Sequence, residues 1–167
     1  FIIVALATFS GGVIDGLDGL SGGVFASIFA SYTVIAYANN QIDIAAFCGV
    51  TTGCILAFLW FNIPPARFYM GETGIMALTL TLATISFLTD TALLLPVIAL
   101  PLVIESGSDI IQMTSKKLRN GKRVFRLAPI HHHFEAIGWP AYKVTMRFWV
   151  LSAVFSIIGI ILFIVSR

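Results

Sequence analysis

The sequence predicts an all-α fold, a polytopic bundle of transmembrane helices, and three observations carry that prediction. Of 167 residues, 58% are hydrophobic and only 11% are charged, where a soluble domain carries about 25% charged residues. Apolar stretches of near-spanning length recur along the chain, a spanning helix needing roughly 20 residues to cross about 30 Å of hydrocarbon. The basic residues gather on alternate connections between those stretches, a pattern that the formal net charge of +2 conceals.

Taken in order, an apolar stub at 1–9 is followed by stretches at 20–38, 44–61, 74–88 and 148–166. A further one, 91–104, is shorter and continues through Glu105, Ser106, Gly107, Ser108 and Asp109 into Ile110-Ile111-Gln112-Met113. Pro96 and Pro101 should bend this helix, since proline removes a backbone donor and clashes with the preceding turn. The expected architecture is about five full spans plus an N-terminal partial span, with a long cytoplasmic loop before the last helix. All of it forms a single integral membrane domain over 1–167. The opening Phe1-Ile2-Ile3-Val4 has neither a basic n-region nor a cleavage site, so it is not a signal peptide. It is read as the interior of an apolar segment, which makes the chain the expected C-terminal part of something longer. Cys48 and Cys54 would lie about 9 Å apart along a helix, too far to bridge.

Alternating the connections assigns 10–19, 62–73 and 114–147 to one side, and 39–43, 89–90 and the C-terminus to the other. Nine of the ten basic residues fall on the first side: Arg67, Lys116, Lys117, Arg119, Lys122, Arg123, Arg126, Lys143 and Arg147. The positive-inside rule makes that side cytoplasmic. The polar, motif-like residues share it, so chemistry is expected at the cytoplasmic mouth.

Four groups could carry that chemistry. Asp15-Gly16-Leu17-Asp18-Gly19-Leu20 sets two carboxylates three residues apart. Like charges so placed repel unless a cation stands near them, and carboxylate oxygens are the hard ligands that Mg²⁺ prefers. A solvated Asp-Gly turn is the plainer alternative. Next, Asn62-Ile63-Pro64-Pro65-Ala66-Arg67-Phe68-Tyr69-Met70-Gly71-Glu72-Thr73-Gly74 ends one span and opens another. There Glu72 suits a helix start through the macrodipole, and Tyr69 can stack on a flat base. Third, Glu105, Ser108, Asp109 and Gln112 recur on one helical stripe, and ionisable groups in a span are functional candidates by default. The competing view is a helix end emerging into water. Last, Ala128-Pro129-Ile130-His131-His132-His133-Phe134-Glu135 offers three imidazoles for phosphate, metal or proton transfer. Their side chains should diverge, so one shared ion is not expected. The six basic residues from Lys116 to Arg126 are candidates to hold the anionic headgroup layer or to steer a polyanionic substrate, and for most of them simple topology determination is the plainer reading. Neither a P-loop nor a dinucleotide fingerprint is present, there is no zinc spacing, and nothing points to nucleic acid.

Three of these motifs, in this order and on one face, resemble those of the bacterial phospho-N-acetylmuramoyl-pentapeptide transferases. They are Asp-Gly-Leu-Asp-Gly-Leu, Pro-Ala-x-x-(aromatic)-Met-Gly-(acid)-x-Gly and Ala-Pro-Ile-His-His-His-Phe-Glu. The resemblance runs through essentially the whole chain as the C-terminal half of that family, and the histidine motif is its most specific part. It implies transfer of phospho-N-acetylmuramoyl-pentapeptide from UDP-N-acetylmuramoyl-pentapeptide to undecaprenyl phosphate, with release of UMP, formation of lipid I and dependence on Mg²⁺. It further implies a multi-pass protein of the bacterial inner membrane, and a homodimer. By the same resemblance Asp15 and Asp18 are catalytic and metal-contacting, and Glu72 is the metal-binding acid. Tyr69 stacks on the uracil, Asn62 lines the pocket, and His131, His132 and His133 contact substrate. Two positions depart from the family pattern. Gly12-Val13-Ile14 stands where Asn-Leu-Thr is usual, and Glu72 replaces an aspartate. The rival expectations are a related UDP-sugar transferase, a catalytically silent homologue, and a transporter using Glu105 and Asp109.

Overall fold

The computed structural model describes residues 9–166. Most of the expected stub at 1–9 therefore falls outside the described residues, and a helical segment over 9–14 leads into the turn 15–19. Seven complete helices follow among the described residues. They are α1 (Leu20–Ala38), α2 (Ile42–Asn62), α3 (Gly71–Leu88), α4 (Leu95–Ile98), α5 (Leu100–Leu118), α6 (Ile130–Ala136) and α7 (Ala141–Val165). Four of them, α1, α2, α3 and α7, are long and apolar enough to cross a membrane. The protein is a polytopic all-α membrane bundle.

α1 is its axis. Of the spanning window of α1, 72% is buried, against 22% in α2, 33% in α3 and 28% in α7, so α1 is the helix the others surround. α1 packs chiefly on α2 and α7. Lipid tails are as apolar as leucine, so such contacts depend on close packing at small residues and on interhelical hydrogen bonds. α1 supplies both. Gly22 lies against Leu59 and Phe58 of α2, and Gly23 admits the indole of Trp149 from α7. Ser152 and Ser156 of α7 donate to the Val24 and Ser27 carbonyls at 3.4 and 3.3 Å.

This packing makes a prediction. A Cβ on Gly23 would stand 2.0 Å from Trp149 Nε1, and overfilling a packed site costs about 1–3 kcal/mol. Gly23→Ala should therefore lower the thermal midpoint of the detergent-solubilised protein. Gly53→Ala, with nothing among the described residues within 4 Å of the new methyl, should not.

The stretch expected as a fifth span is broken. Pro96 and Pro101 each fall at the N1 or N2 position of a helix, where a missing N–H is tolerated. The path is interrupted at Ala99 between α4 and α5. α5 then runs to Leu118 as an amphipathic helix that buries Glu105, Ser108, Gln112 and Ser115. The expected loop 114–147 is correspondingly shorter. α5 takes its first residues, α7 starts at Ala141, and α6 occupies its middle.

The two ends of the bundle are tied differently. At one end, Asn39 Nδ2 donates to the Thr89 carbonyl at 3.2 Å and Gln41 Nε2 to the Leu88 carbonyl at 2.8 Å. These bonds link the α1–α2 turn to the exit of α3. The other end gathers the turn 15–19, the close of α2, the start of α7 and helix α6.

Candidate functional site

The turn 15–19 enters α1 through Gly19, whose φ of 74° lies in the left-handed region that glycine occupies at little cost. Three elements hold it. From α2, Asn62 Oδ1 accepts the Gly19 N–H at 3.0 Å, while its Nδ2 donates to the Phe68 carbonyl at 2.9 Å. From the loop after α2, the Ala66 N–H donates to Asp18 Oδ2 at 3.1 Å. From α7, Thr145 Oγ1 donates to the Asp18 carbonyl at 3.2 Å and Trp149 Nε1 to the Gly19 carbonyl at 2.9 Å. Asn62 is buried, and its amide bridges the turn to the loop that carries Tyr69.

Each aspartate has one carboxylate oxygen engaged. Ser21 Oγ donates to Asp15 Oδ1 at 2.9 Å, and Asp18 Oδ2 takes the Ala66 bond. No Lys or Arg forms an ion pair with either of them among the described residues. The remaining oxygens are hard donors on an exposed and a half-buried residue respectively. No group of three or more His, Cys, Asp or Glu gathers around one point among the described residues. Carboxylate oxygens of this kind are donors that Mg²⁺ takes one or two at a time, together with water and substrate phosphates.

Helix α6 closes the turn from the other side. His131 is fully buried and lies so near Gly16 that a Cβ there would meet its Nε2 at 2.1 Å. Its Nδ1 is 2.8 Å from Glu105 Oε2 on α5, which is also fully buried. The close backbone approach at Gly16 is thus taken up by a histidine of the protein itself. The three histidines stand on a short helix and take separate hydrogen-bond partners, although the His131 and His132 rings lie 4.1 Å apart between centroids. His132 Nδ1 pairs with Glu135 Oε2 at 2.7 Å, and His133 Nδ1 accepts the Arg126 N–H at 3.1 Å.

Other residues singled out from the sequence take separate places. Phe68 packs between Phe58 and Phe61, which anchors the loop and leaves Tyr69 and Glu72 exposed. Glu72 sits in the first turn of α3, and no hydrogen bond or ion pair joins it to Asp15 or Asp18. The α5 stripe turns inward, not toward water. Gln112 Oε1 accepts the Val124 and Phe125 N–H groups at 3.0 and 3.1 Å, and its Nε2 donates to the Phe125 carbonyl at 2.9 Å. Ser108 Oγ donates to the Glu105 carbonyl at 2.7 Å, and Asp109 is half-buried. An apolar cavity of about 420 Å³ lies beside α5, lined by Thr79, Leu82, Pro96, Leu102, Ser106 and Ile110 among others.

The family model for glycosyl transferase family 4 matches residues 1–90, the part that holds both aspartates and the loop after α2. The chain belongs to glycosyl transferase family 4. The similarity to its relatives extends well past residue 90. The chain is 43% identical over 163 residues to a phospho-N-acetylmuramoyl-pentapeptide-transferase of Rubrobacter xylanophilus, covering 98% of this chain and 49% of that protein. It is 47% identical over 146 residues to the transferase of the same name from a Geobacillus species, covering 87% and 45%. A third, from Listeria monocytogenes, is 43% identical over 162 residues, covering 96% and 50%. The chain spans about half the length of the curated relatives it matches.

Four contributors to this family 4 site were not singled out from the sequence: Ser21, the Ala66 N–H, Thr145 and Trp149. Only Trp149 left a signal, the one aromatic with a polar edge in the stretch 148–166. Its partners are Gly19, the residue that precedes α1, and Gly23, one turn further along.

Proposed function

We propose that the intact protein transfers phospho-N-acetylmuramoyl-pentapeptide from its UDP derivative to undecaprenyl phosphate, giving lipid I and UMP. One observation carries this reading: all three family motifs touch at the aspartate turn. Ala66 of the second motif binds Asp18 of the first, and His131 of the third lies against Gly16. In this reaction an oxygen of the lipid phosphate attacks the β-phosphorus of the nucleotide. The bond from that phosphorus to the oxygen shared with the α-phosphate breaks, and UMP departs with the electron pair. Phosphoryl transfer of this kind rests on positioning and charge more than on covalent help from the protein.

Asp15 and Asp18 would hold Mg²⁺, with Glu72 as a further acid at the loop. When bound, the ion supplies charge neutralisation and alignment of the phosphoryl oxygens. Asn62 fixes the turn and the loop together. Tyr69, exposed, stacks on the uracil, and the three histidines border the substrate. The apolar cavity suits part of a polyprenyl chain, and Ser106 on its wall is the chain neighbour of Glu105.

We further assign five crossings and a cytoplasmic site in a bacterial cell membrane. The α4–α5 segment starts beside Thr89, at the end tied to Asn39, and carries Glu105 to His131 at the end holding the turn. A broken fifth crossing accounts for that path. The nine basic residues then share the side of the aspartates, the cytoplasmic one by the positive-inside rule.

The test is UMP release by the purified intact protein from UDP-N-acetylmuramoyl-pentapeptide, undecaprenyl phosphate and Mg²⁺. Chelation with EDTA should cut turnover by at least about 10²-fold, and added MgCl₂ should restore it. No UMP release under conditions where a homologous transferase works would overturn the proposal. Turnover of UDP-N-acetylglucosamine in its place would move the assignment to a sister activity.

A further inference from the structure

The Glu105–His131 pair is buried where a carboxylate is expensive. Glu105 has no solvent exposure, and an ionisable group in such a place persists only with a partner. The partner is His131 Nδ1 at 2.8 Å, 26 residues along the chain and on another helix. The opposite side of the imidazole meets Gly16, with Nε2 nearest to it, and His132 lies against the ring at 4.1 Å between centroids. Two atoms of the pair, Glu105 Oε1 and His131 Nε2, are buried and have no hydrogen-bond partner among the described residues. Leaving a buried polar atom unsatisfied costs about 1–3 kcal/mol, so a site that keeps two of them calls for a reason beyond stability.

Orientation supplies the reason. A half-turn of the imidazole about Cβ–Cγ exchanges Nδ1 with Cδ2 and Nε2 with Cε1. Without a partner for Nδ1, the two orientations fill the same space, and only one of them offers a nitrogen to the aspartate turn. A carboxylate at Nδ1 selects that one and sets which nitrogen carries the proton. We propose that Glu105 is a positioning residue that acts through His131, holding its Nε2 at the turn between Asp15 and Asp18. This rests on the transferase reading, in which His131 borders the substrate.

The test is a double-mutant cycle on the intact protein, read alongside ¹⁵N spectra of selectively labelled histidines, with His131 assigned from the signals lost in H131A. Glu105→Ala should lower kcat by about 10–100-fold, the range typical when an orienting partner of a histidine is lost, with KM for the nucleotide changed by less than about threefold. Added to His131→Ala, the same substitution should cost less than about threefold further, because residues acting as one unit are non-additive. Glu105→Gln, which can accept the same hydrogen bond and preserves the packing, should stay within about tenfold of the unaltered protein. The His131 ring nitrogens should shift in Glu105→Ala.

Equal losses from Glu105→Ala in both backgrounds, or an unmoved His131 spectrum, would overturn the proposal. Should the unaltered protein release no UMP, it is the transferase reading that fails, and the spectra still decide whether Glu105 sets the His131 ring.

Discussion

Asp15→Asn should abolish most turnover while leaving the bundle intact. Asparagine matches aspartate in shape, and its carbonyl oxygen can still accept the Ser21 hydroxyl that Asp15 Oδ1 accepts at 2.9 Å. What disappears is the negative charge and one hard donor oxygen at a position where, in the proposed reaction, Mg²⁺ and pyrophosphate meet. Loss of a single preorganised electrostatic contact to a transition state costs about 10²–10³-fold in kcat, and loss of a metal ligand adds to it. A kcat reduced by at least about 10³-fold is therefore expected. The thermal midpoint should stay within a degree or so, since exposed substitutions away from special features change stability by about 0.5 kcal/mol or less. Ser21→Ala provides the internal comparison. It removes the hydroxyl and keeps the charge, so it should lower kcat by no more than about tenfold. Measured turnover of Asp15→Asn within threefold of the unaltered protein would remove Asp15 from the site.

The bundle was largely legible in the sequence, and the places where it was not have physical causes. The apolar stretch 20–38 coincides with α1, and 44–61 and 74–88 fall within α2 and α3. The last stretch, 148–166, begins seven residues after the start of α7 at Ala141. Hydropathy detects only the part of a helix that lies in hydrocarbon. The first two turns of α7 carry Lys143 and Arg147, which lie over the Trp139 ring at 5.2 and 3.9 Å. The stripe on α5 was legible only as two open alternatives, ionisable groups within a span or a helix end emerging into water. A stripe of Glu, Ser, Asp and Gln looks as though it faces water, yet here it turns inward onto the loop and α6, where Gln112 and Ser115 meet backbone groups at 122–125.

Within the site, the residue types were legible and their pairings were not. Motif spacing reveals nothing of a contact between Glu105 and His131, or of a tryptophan 130 residues beyond the glycine carbonyl it binds. Gly16 and Gly19 were visible in the sequence only as the glycines of an Asp-Gly turn. What approaches them, the His131 ring and the Trp149 indole, is decided by how α6 packs on α5 and α7, and α7 on α1, a three-dimensional matter that local pattern does not encode.

Gly16→Ala should do more damage than the addition of one methyl group to an exposed residue suggests. Gly16 is solvent-exposed, and by exposure alone an alanine there would pass unnoticed. The new Cβ, however, would stand 2.1 Å from His131 Nε2, 2.9 Å from Cε1 and 3.1 Å from Cδ2. The imidazole has little room to yield, because Nδ1 is held by Glu105 and His132 lies against the ring. Either the ring or the turn must shift by an ångström or so. If the ring shifts, the buried Glu105 carboxylate loses its one hydrogen-bond partner, and overpacking of this kind costs about 1–3 kcal/mol. If the turn shifts, Asp15 and Asp18 move with it, and a displacement of about 1 Å at a reacting centre can cost 10²-fold in rate. Both routes lead to a loss of turnover of about 10²-fold, with a lower thermal midpoint where the first route dominates. Gly12→Ala, four residues earlier and with nothing among the described residues within 4 Å of its new methyl, should leave both quantities near their original values. Combining Gly16→Ala with His131→Ala separates steric displacement from any intrinsic need for glycine. The double variant should regain the thermal stability lost in Gly16→Ala, because the ring that collided with the methyl is gone. A double variant as unstable as Gly16→Ala alone would show that the turn requires glycine for its own backbone and not for the histidine.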